Sequence, residues 1–303
     1  MSTHKHSVPN YAYSSLVSSI NTPGVYINGF EFDGTVCFRK GARLGPNAFR
    51  DVAEGIESYS PYINLDLESS DKLFDLGNLI IPKDKTTDEN FLGALKYFEK
   101  ALENINLKKD QVKLLTLGGE HSISIAPIKK YLEDYPNLLI IHLDAHADLR
   151  DGYLGHHYSH ASIIRRSMDL FSKDNSLIQY GIRSGTKDEY DFMKKNKTIC
   201  SSRNEFLEKV QLIDEQRPVY LTLDLDYFDP SFLPGTGTPE AGGEDFHSYI
   251  SLLKILKNKN FVGADIVELA PDIDPTGNSA VFGTKVLRET CATLLKSFSR
   301  ENS

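Results

Sequence analysis

Thiols, positive charge and long apolar runs are all scarce in this sequence. Three cysteines, Cys37, Cys200 and Cys291, form no C-x-x-C pair and no even framework, which excludes a disulfide-stapled fold and leaves reduced thiols. Acidic residues outnumber basic ones, 42 to 34, for a formal net charge of -8. That balance argues against a general grip on nucleic acid or anionic lipid and suits a cationic partner. No apolar run reaches the roughly 20 residues a membrane span needs. Residues 1–10 are polar, with His4 and His6 but no apolar signal-peptide centre, so the expectation is an unprocessed cytoplasmic protein with a disordered start. Linkers rich in Pro, Ser or Gly, low-complexity tracts and internal repeats are missing too. One domain over 1–303 is expected, with 1–20 a flexible or peripheral lead-in.

What the sequence does have is a 40% hydrophobic fraction beside 25% charged residues, the balance of a soluble globular protein with a real core. Apolar runs at 113–117, 138–143, 176–182, 219–223 and 261–267 have strand length, several of them apolar on both alternating faces. Such runs suit strands buried on both sides of a parallel sheet. Helical spacing separates them. Phe91, Leu95, Phe98 and Leu102 recur at intervals of three and four, with Thr87 the expected N-cap. Phe246, Ile250 and Leu253 repeat the pattern after Gly242-Gly243, and Cys291 shares a core stripe with Leu287, Leu294 and Phe298. Gly45-Pro46 predicts a helix start with proline in its first turn. Strands alternating with helices predict a single α/β domain with helices on both sheet faces.

Four of these strands end in residues that strands do not need for folding. The run 113–117 leads into Gly118-Gly119-Glu120-His121-Ser122, and 138–143 into Asp144-Ala145-His146-Ala147-Asp148. The run 219–223 leads into Asp224-Leu225-Asp226, and 261–267 contains Asp265 and precedes Glu268. In open α/β sheets ligands bind beyond the carboxyl ends of the strands, so the four ends predict one shared crevice. Side chains at i and i+2 of an extended segment face the same way, which groups Asp144, His146 and Asp148, and likewise Asp224 and Asp226.

With His121 the crevice would hold four carboxylates and two imidazoles. Crowded without counter-charge they repel strongly in a low dielectric; two divalent cations resolve the conflict. Counting four aspartates, two divalent ions and a bridging hydroxide leaves about one net negative charge, which attracts a cation such as guanidinium. Oxygen and imidazole ligation without thiolate favours Mn(II) over a structural zinc site. Against this, a lone Asp at a strand end is usually a cap or turn residue, and a lone His is more often packed than ligated. His142, inside an apolar strand, is read as such a core residue.

Together these segments resemble, in order, the three metal-binding signatures of the ureohydrolase (arginase/agmatinase) family, closest to microbial agmatinases. The third continues as Asp226-Tyr227-Phe228-Asp229-Pro230, then 234–240 and Gly242-Gly243. Likeness extends to 41–46 and 181–185 and covers roughly residues 25–297. It implies a three-layer α/β/α sandwich around a mostly parallel eight-stranded sheet. It also implies two Mn(II) ions per subunit and a homo-oligomer, trimer or hexamer. Carried over residue by residue, the metal ligands are His121, Asp144, His146, Asp148, Asp224 and Asp226. His160, in Tyr158-Ser159-His160-Ala161-Ser162, matches the proton-shuttling histidine, and Glu268 matches the carboxylate that holds the guanidinium. Tyr227-Phe228 replaces a smaller aliphatic pair, a departure expected to alter packing below the metals and not ligation. His156 and His157 are rivals to His160. For Glu268 the rival is a structural ion pair with Arg43 or Arg183.

The resemblance implies hydrolysis of agmatine to putrescine and urea, a step of polyamine biosynthesis, by a metal-bridging hydroxide attacking the guanidinium carbon. Asp148 would orient that hydroxide, and His160 would carry the proton to the leaving amine. The loop 149–158 resembles microbial agmatinases and lacks the Ser, Thr and Asn donors that arginases offer the arginine carboxylate, although Arg150 could meet a carboxylate. Arginine, guanidinobutyrate, guanidinopropionate and guanidine stay open as substrates. So do a one-zinc deacetylase relative of the fold, which the full two-metal ligand set opposes, and a non-catalytic homologue, which would release no urea from any guanidino compound. The expected partner is thus a small cationic guanidino substrate, with no nucleic acid and no membrane.

Overall fold

A computed structural model of the chain describes residues 4–5 and 10–301. Its strands are β1 (His4–Lys5), β2 (Ser15–Leu16), β3 (Gly24–Phe30), β4 (Tyr59–Ser60), β5 (Leu65–Asp66), β6 (Leu73–Leu79), β7 (Val112–Gly118), β8 (Leu139–Leu143), β9 (Ser176–Tyr180), β10 (Val219–Asp224) and β11 (Phe261–Val267). Nine build one sheet in the order β1-β6-β3-β7-β11-β10-β8-β9, with β2 also on β6, while β4 and β5 pair separately. Every pairing in the large sheet is parallel except β1 on β6.

The helices are α1 (Gly45–Ala53), α2 (Thr87–Ala101), α3 (Ile125–Asp134), α4 (Ile163–Met168), α5 (Lys187–Asn196), α6 (Arg203–Gln211), α7 (Phe246–Leu256) and α8 (Asn278–Glu301). Strand side chains alternate between two cores. Leu114, Ile140 and Tyr220 join Phe91 of α2, Ile128 of α3 and Met193 of α5 on one face. Leu115, Ile141 and Leu221 join Phe49 of α1, Phe206 of α6, Leu253 of α7 and Cys291 of α8 on the other. This is the expected α/β/α sandwich.

Several local expectations need correction. The sheet has nine strands among the described residues, not eight: seven of five to seven residues, and the two-residue β1 and β2 paired on β6. The long strands β3 and β6 escaped the apolar-run reading because Asn28 and Gly29 interrupt one, and Asp75, Gly77 and Asn78 the other. Thr86, not Thr87, caps α2: its hydroxyl accepts the Glu89 N–H while Glu89 reaches back to Thr86, a capping box that places Glu at the required third position. The run 176–182 stops as a strand at Tyr180, before Gly181 turns to φ 96. Nor is 1–20 wholly peripheral. Tyr11 is buried in the core, its N–H donated to Asp75 at 2.8 Å, and Ser15–Leu16 pairs with β6. His6 lies outside the described residues.

Arg50 of α1 and Asp75 of β6, both without exposed surface, form a two-pronged ion pair at 2.8 Å on each arm. The N–H groups of Tyr11 and Gly77 complete the carboxylate's bonding. Helix α1, strand β6 and the N-terminal segment are tied together by that one carboxylate.

The four strands whose ends carried unusual residues are neighbours, in the order β7-β11-β10-β8. Between β7 and β11 the winding changes face, because α3 after β7 packs on one side of the sheet and α7 and α8, after β10 and β11, on the other. A crevice opens at such a point.

Candidate metal and guanidino site

Beyond those four ends the six proposed ligands meet. Asp144 is central: its carboxylate lies 3.0 Å from His121 Nδ1 and 3.5 Å from His146 Nδ1. His121 Nδ1 also has Asp148 at 3.2 Å and Asp224 at 3.4 Å, and His146 Nδ1 has Asp226 at 2.9 Å. Two groups of potential metal donors result, one with His121, Asp144 and Asp148, the other with Asp144, His146 and Asp226. Asp144 belongs to both.

The convergence expected from i, i+2 spacing is real, but its backbone is not extended. Asp224 caps a single 3-10 turn, accepting the Asp226 N–H at 2.8 Å. Asp144 likewise accepts the His146 N–H at 2.6 Å, and Asp148 sits at φ 54. Glu268 sits at φ 68. Left-handed backbone is costly for residues other than glycine and collects at functional sites. Gly119 is needed for a different reason, since a Cβ there would come within 1.8 Å of the Phe32 carbonyl oxygen.

Whether these donors suit cations is decided by His121. Its Nδ1 is buried and, despite three carboxylates close by, aligned for a hydrogen bond with none of them. The other ring nitrogen, Nε2, lies 2.8 Å from Thr222 Oγ1, whose own hydrogen goes to Asp265 at 2.7 Å. Thr222 therefore accepts from Nε2–H, leaving the Nδ1 lone pair aimed into the carboxylate cluster. That is the tautomer a metal ligand needs. His142 also falls in the first group by distance, but both its nitrogens are committed. Gln179 donates to Nδ1 at 3.1 Å, so Nε2 carries the hydrogen given to Asp144 at 2.8 Å. It steadies Asp144.

Electrostatics point the same way. Burial, reinforced by neighbouring carboxylates, pushes Asp148 up to about 6 and Asp224 well above the usual range; Asp226 is raised as well. Asp144 is the exception: although burial opposes its charge, the imidazoles of His121, His142 and His146 beside it hold it well below. Burial likewise opposes charge on His121 and His146, yet the aspartates raise both. The cluster calls for positive charge.

A cavity of about 230 Å³ stands over this floor, with Cys37, Arg150, Tyr153, His160, Thr238 and Glu268 in its walls. Glu268 accepts the His121 N–H at 2.7 Å, and burial, with Glu120 nearby, holds its carboxyl well above the usual range. Neither expected structural partner reaches it: Arg43 faces Asp33 at 3.8 Å, and Arg183 donates to the carbonyls of Asp226 and Glu240. His160 lies on the wall, lowered to about 4 by burial and by His146 and His121. Its rivals do not line the cavity. His156 pairs with Asp88 at 2.6 Å, and His157 lies against Arg166 at 2.7 Å. The Arg150 guanidinium stacks over Tyr153 at 4.6 Å.

An Arginase family model matches residues 23–292. The chain belongs to the arginase family. An agmatinase of Bacillus anthracis is 38% identical over 274 residues, covering 88% of this chain and 90% of that one. A solved Clostridium difficile structure, described as a candidate agmatinase, superposes with a TM-score of 0.81 at 38% identity, covering 90% and 97%. The proclavaminate amidino hydrolase of Streptomyces clavuligerus superposes at 0.83 with 27% identity, covering 96% and 98%.

Beneath this arginase-family site runs a feature that apolar periodicity does not reveal. Asn28, Thr116, Asp265, Thr222, His142 and Gln179 are register partners across six adjacent strands, and all are buried. Each interrupts an otherwise apolar stretch of its strand, the one signal that could have found the row. Polar groups so placed must satisfy one another. Here they fix the tautomers of His121 and His142.

Proposed function

We propose that the chain hydrolyses a guanidino compound to urea and an amine, with agmatine giving putrescine as the favoured case. The reading is carried by His121 Nδ1, a buried lone pair aimed at three carboxylates. Two Mn(II) ions would suit this donor set, and His121, Asp144, His146, Asp148, Asp224 and Asp226 would hold them. When bound, such ions supply an ionised water at neutral pH.

The chain's own groups do the rest. Glu268 presents a carboxylate to the planar guanidinium, a charge-assisted contact with room for two hydrogen bonds. Holding the cation there places its central carbon over the aspartate floor, and Asp148 orients the attacking oxygen by a hydrogen bond. A C–O bond forms, the C–N bond to the alkyl chain breaks, and the amine departs with a proton. His160, its pKa lowered to about 4 so that the ring is neutral at pH 7, accepts the proton that the attacking oxygen gives up as it becomes the urea carbonyl and passes it to the leaving nitrogen.

Arg150 favours a second reading. A guanidinium on the wall suits a substrate whose far end is a carboxylate, such as guanidinobutyrate, better than the ammonium of agmatine. Relatives with different tails, agmatinase and proclavaminate amidino hydrolase, fit a shared floor under variable walls. Urea release with Mn(II) from agmatine, arginine, guanidinobutyrate and guanidine separates the readings. Agmatine leading supports the first and guanidinobutyrate leading the second; no urea from any of them refutes both. A cytoplasmic trimer or hexamer belongs to the same proposal, and sedimentation measures its size. Among the described residues no helix is long and apolar enough to cross a membrane.

A further inference from the structure

Thr35 lies in the loop between β3 and α1, remote in sequence from His160 and Glu120, yet it touches both. We infer that Thr35 and Glu120 are positioning residues that fix the tautomer and direction of the His160 ring. The inference rests on the reading of His160 as proton carrier and adds what aims it.

The Thr35 hydroxyl has one hydrogen, and Glu120 Oε1 takes it at 2.5 Å. The same carboxylate accepts the Thr35 backbone N–H at 2.8 Å on its other oxygen and the Ser122 hydroxyl at 2.6 Å. Glu120 has no exposed surface, and three converging donors mark it as an acceptor. Thr35 Oγ1 can then only accept from His160, which it faces at 3.3 Å from both Nδ1 and the backbone nitrogen. Nδ1 consequently carries the hydrogen of the neutral ring, and Nε2 keeps its lone pair. Tyr153 closes the other side, edge-on with ring centres 5.8 Å apart. The ring is held between hydroxyl and phenol, with its basic nitrogen free to take and return a proton.

Thr35→Val keeps the side-chain volume and the backbone N–H to Glu120 but removes the hydroxyl. With manganese-loaded enzyme, kcat is expected to fall by about 10- to 100-fold, the scale of a misplaced reacting group, with KM and metal content unchanged. Thr35→Ser, which restores the hydroxyl, is expected to recover most of kcat. In ¹⁵N-histidine-labelled protein, with His160→Asn assigning the signal, Nδ1 is protonated in the wild type and in Thr35→Ser. In Thr35→Val the tautomers mix. Wild-type kcat with an unchanged tautomer in Thr35→Val overturns the inference, as does a Thr35→Ser variant as slow as Thr35→Val. If His160→Asn keeps full kcat, the proton-carrier reading fails instead, and the tautomer shift still decides what Thr35 does.

Discussion

Two histidines in this molecule are aimed by the same chemistry in different settings. On the floor, Asp265 takes the hydroxyl hydrogen of Thr222, which faces His121 Nε2. On the wall, Glu120 takes the hydroxyl hydrogen of Thr35, which faces His160 Nδ1. The floor relay lies across adjacent strands, where Thr222 and Asp265 are register partners, so the sheet that makes the core also makes the relay. The wall relay joins a loop at 33–41 to the turn after β7 and the loop before α4, with no ladder to fix it. A floor set by register can stay constant while walls vary, and variable walls are what substrate choice requires.

The largest effect should come from breaking the floor itself. Asp226→Asn removes a carboxylate 2.9 Å from His146, and activity and bound metal should disappear together; full turnover without metal, by elemental analysis and urea assay, would sink the scheme. Breaking the wall should spare the floor. His160→Asn should lower kcat by about 10²–10⁴-fold with metal content near wild type, and loss of metal would instead make His160 a ligand. Thr222→Val leaves every proposed ligand in place but unfixes the His121 tautomer, so metal affinity by calorimetry should weaken about 10- to 100-fold. Unchanged affinity would mean the floor needs no relay.

Two further changes bear on stability and test whether the scaffold is separate from both relays. Asp75→Asn strands the buried Arg50 charge and should cost about 3–5 kcal/mol in denaturant melts while kcat of the folded fraction holds. Burial alone would raise the Asp75 pKa, but Arg50 and the N–H groups of Tyr11 and Gly77 hold it lower than usual. The pair's contribution is therefore complete above the unfolded carboxyl pKa and is lost as pH falls through the lower folded value. The wild type should lose this margin only in acid, and Asp75→Asn should lack it at every pH. Least of all, Thr86→Ala at the α2 cap should cost about 1 kcal/mol and leave urea release unaltered.

Much of the floor is legible in the amino-acid sequence. Asp144, His146 and Asp148, and the pair Asp224 and Asp226, stand out because carboxylates and imidazoles at the ends of apolar strands are costly without a counter-charge. Their backbone is not legible: the residues converge through a 3-10 turn and a left-handed Asp148, because side chains reaching a common point matter more than the φ of the chain carrying them. His142 has the pattern of a packed core residue. Its partner Asp144 stands two residues along the same chain, but Gln179, which fixes the ring's tautomer, becomes visible only when strand register is known. Strands β3 and β6 escape an apolar-run reading because the polar residues that interrupt them bond to neighbours distant in sequence, the Asn28 amide to Thr116 and Asp75 to Arg50.

By itself the sequence determined the alternation of strands and helices, the α/β class and which side chains gather at the strand ends, since apolar periodicity and uncompensated charge are local properties of a chain. Tertiary structure alone decided which nitrogen of each histidine is free, that His160 and not His156 or His157 lines the cavity, and that Thr35 stands behind it. Hydrogen-bond direction depends on what lies opposite, and for Thr35 and His160 that partner is 125 residues away.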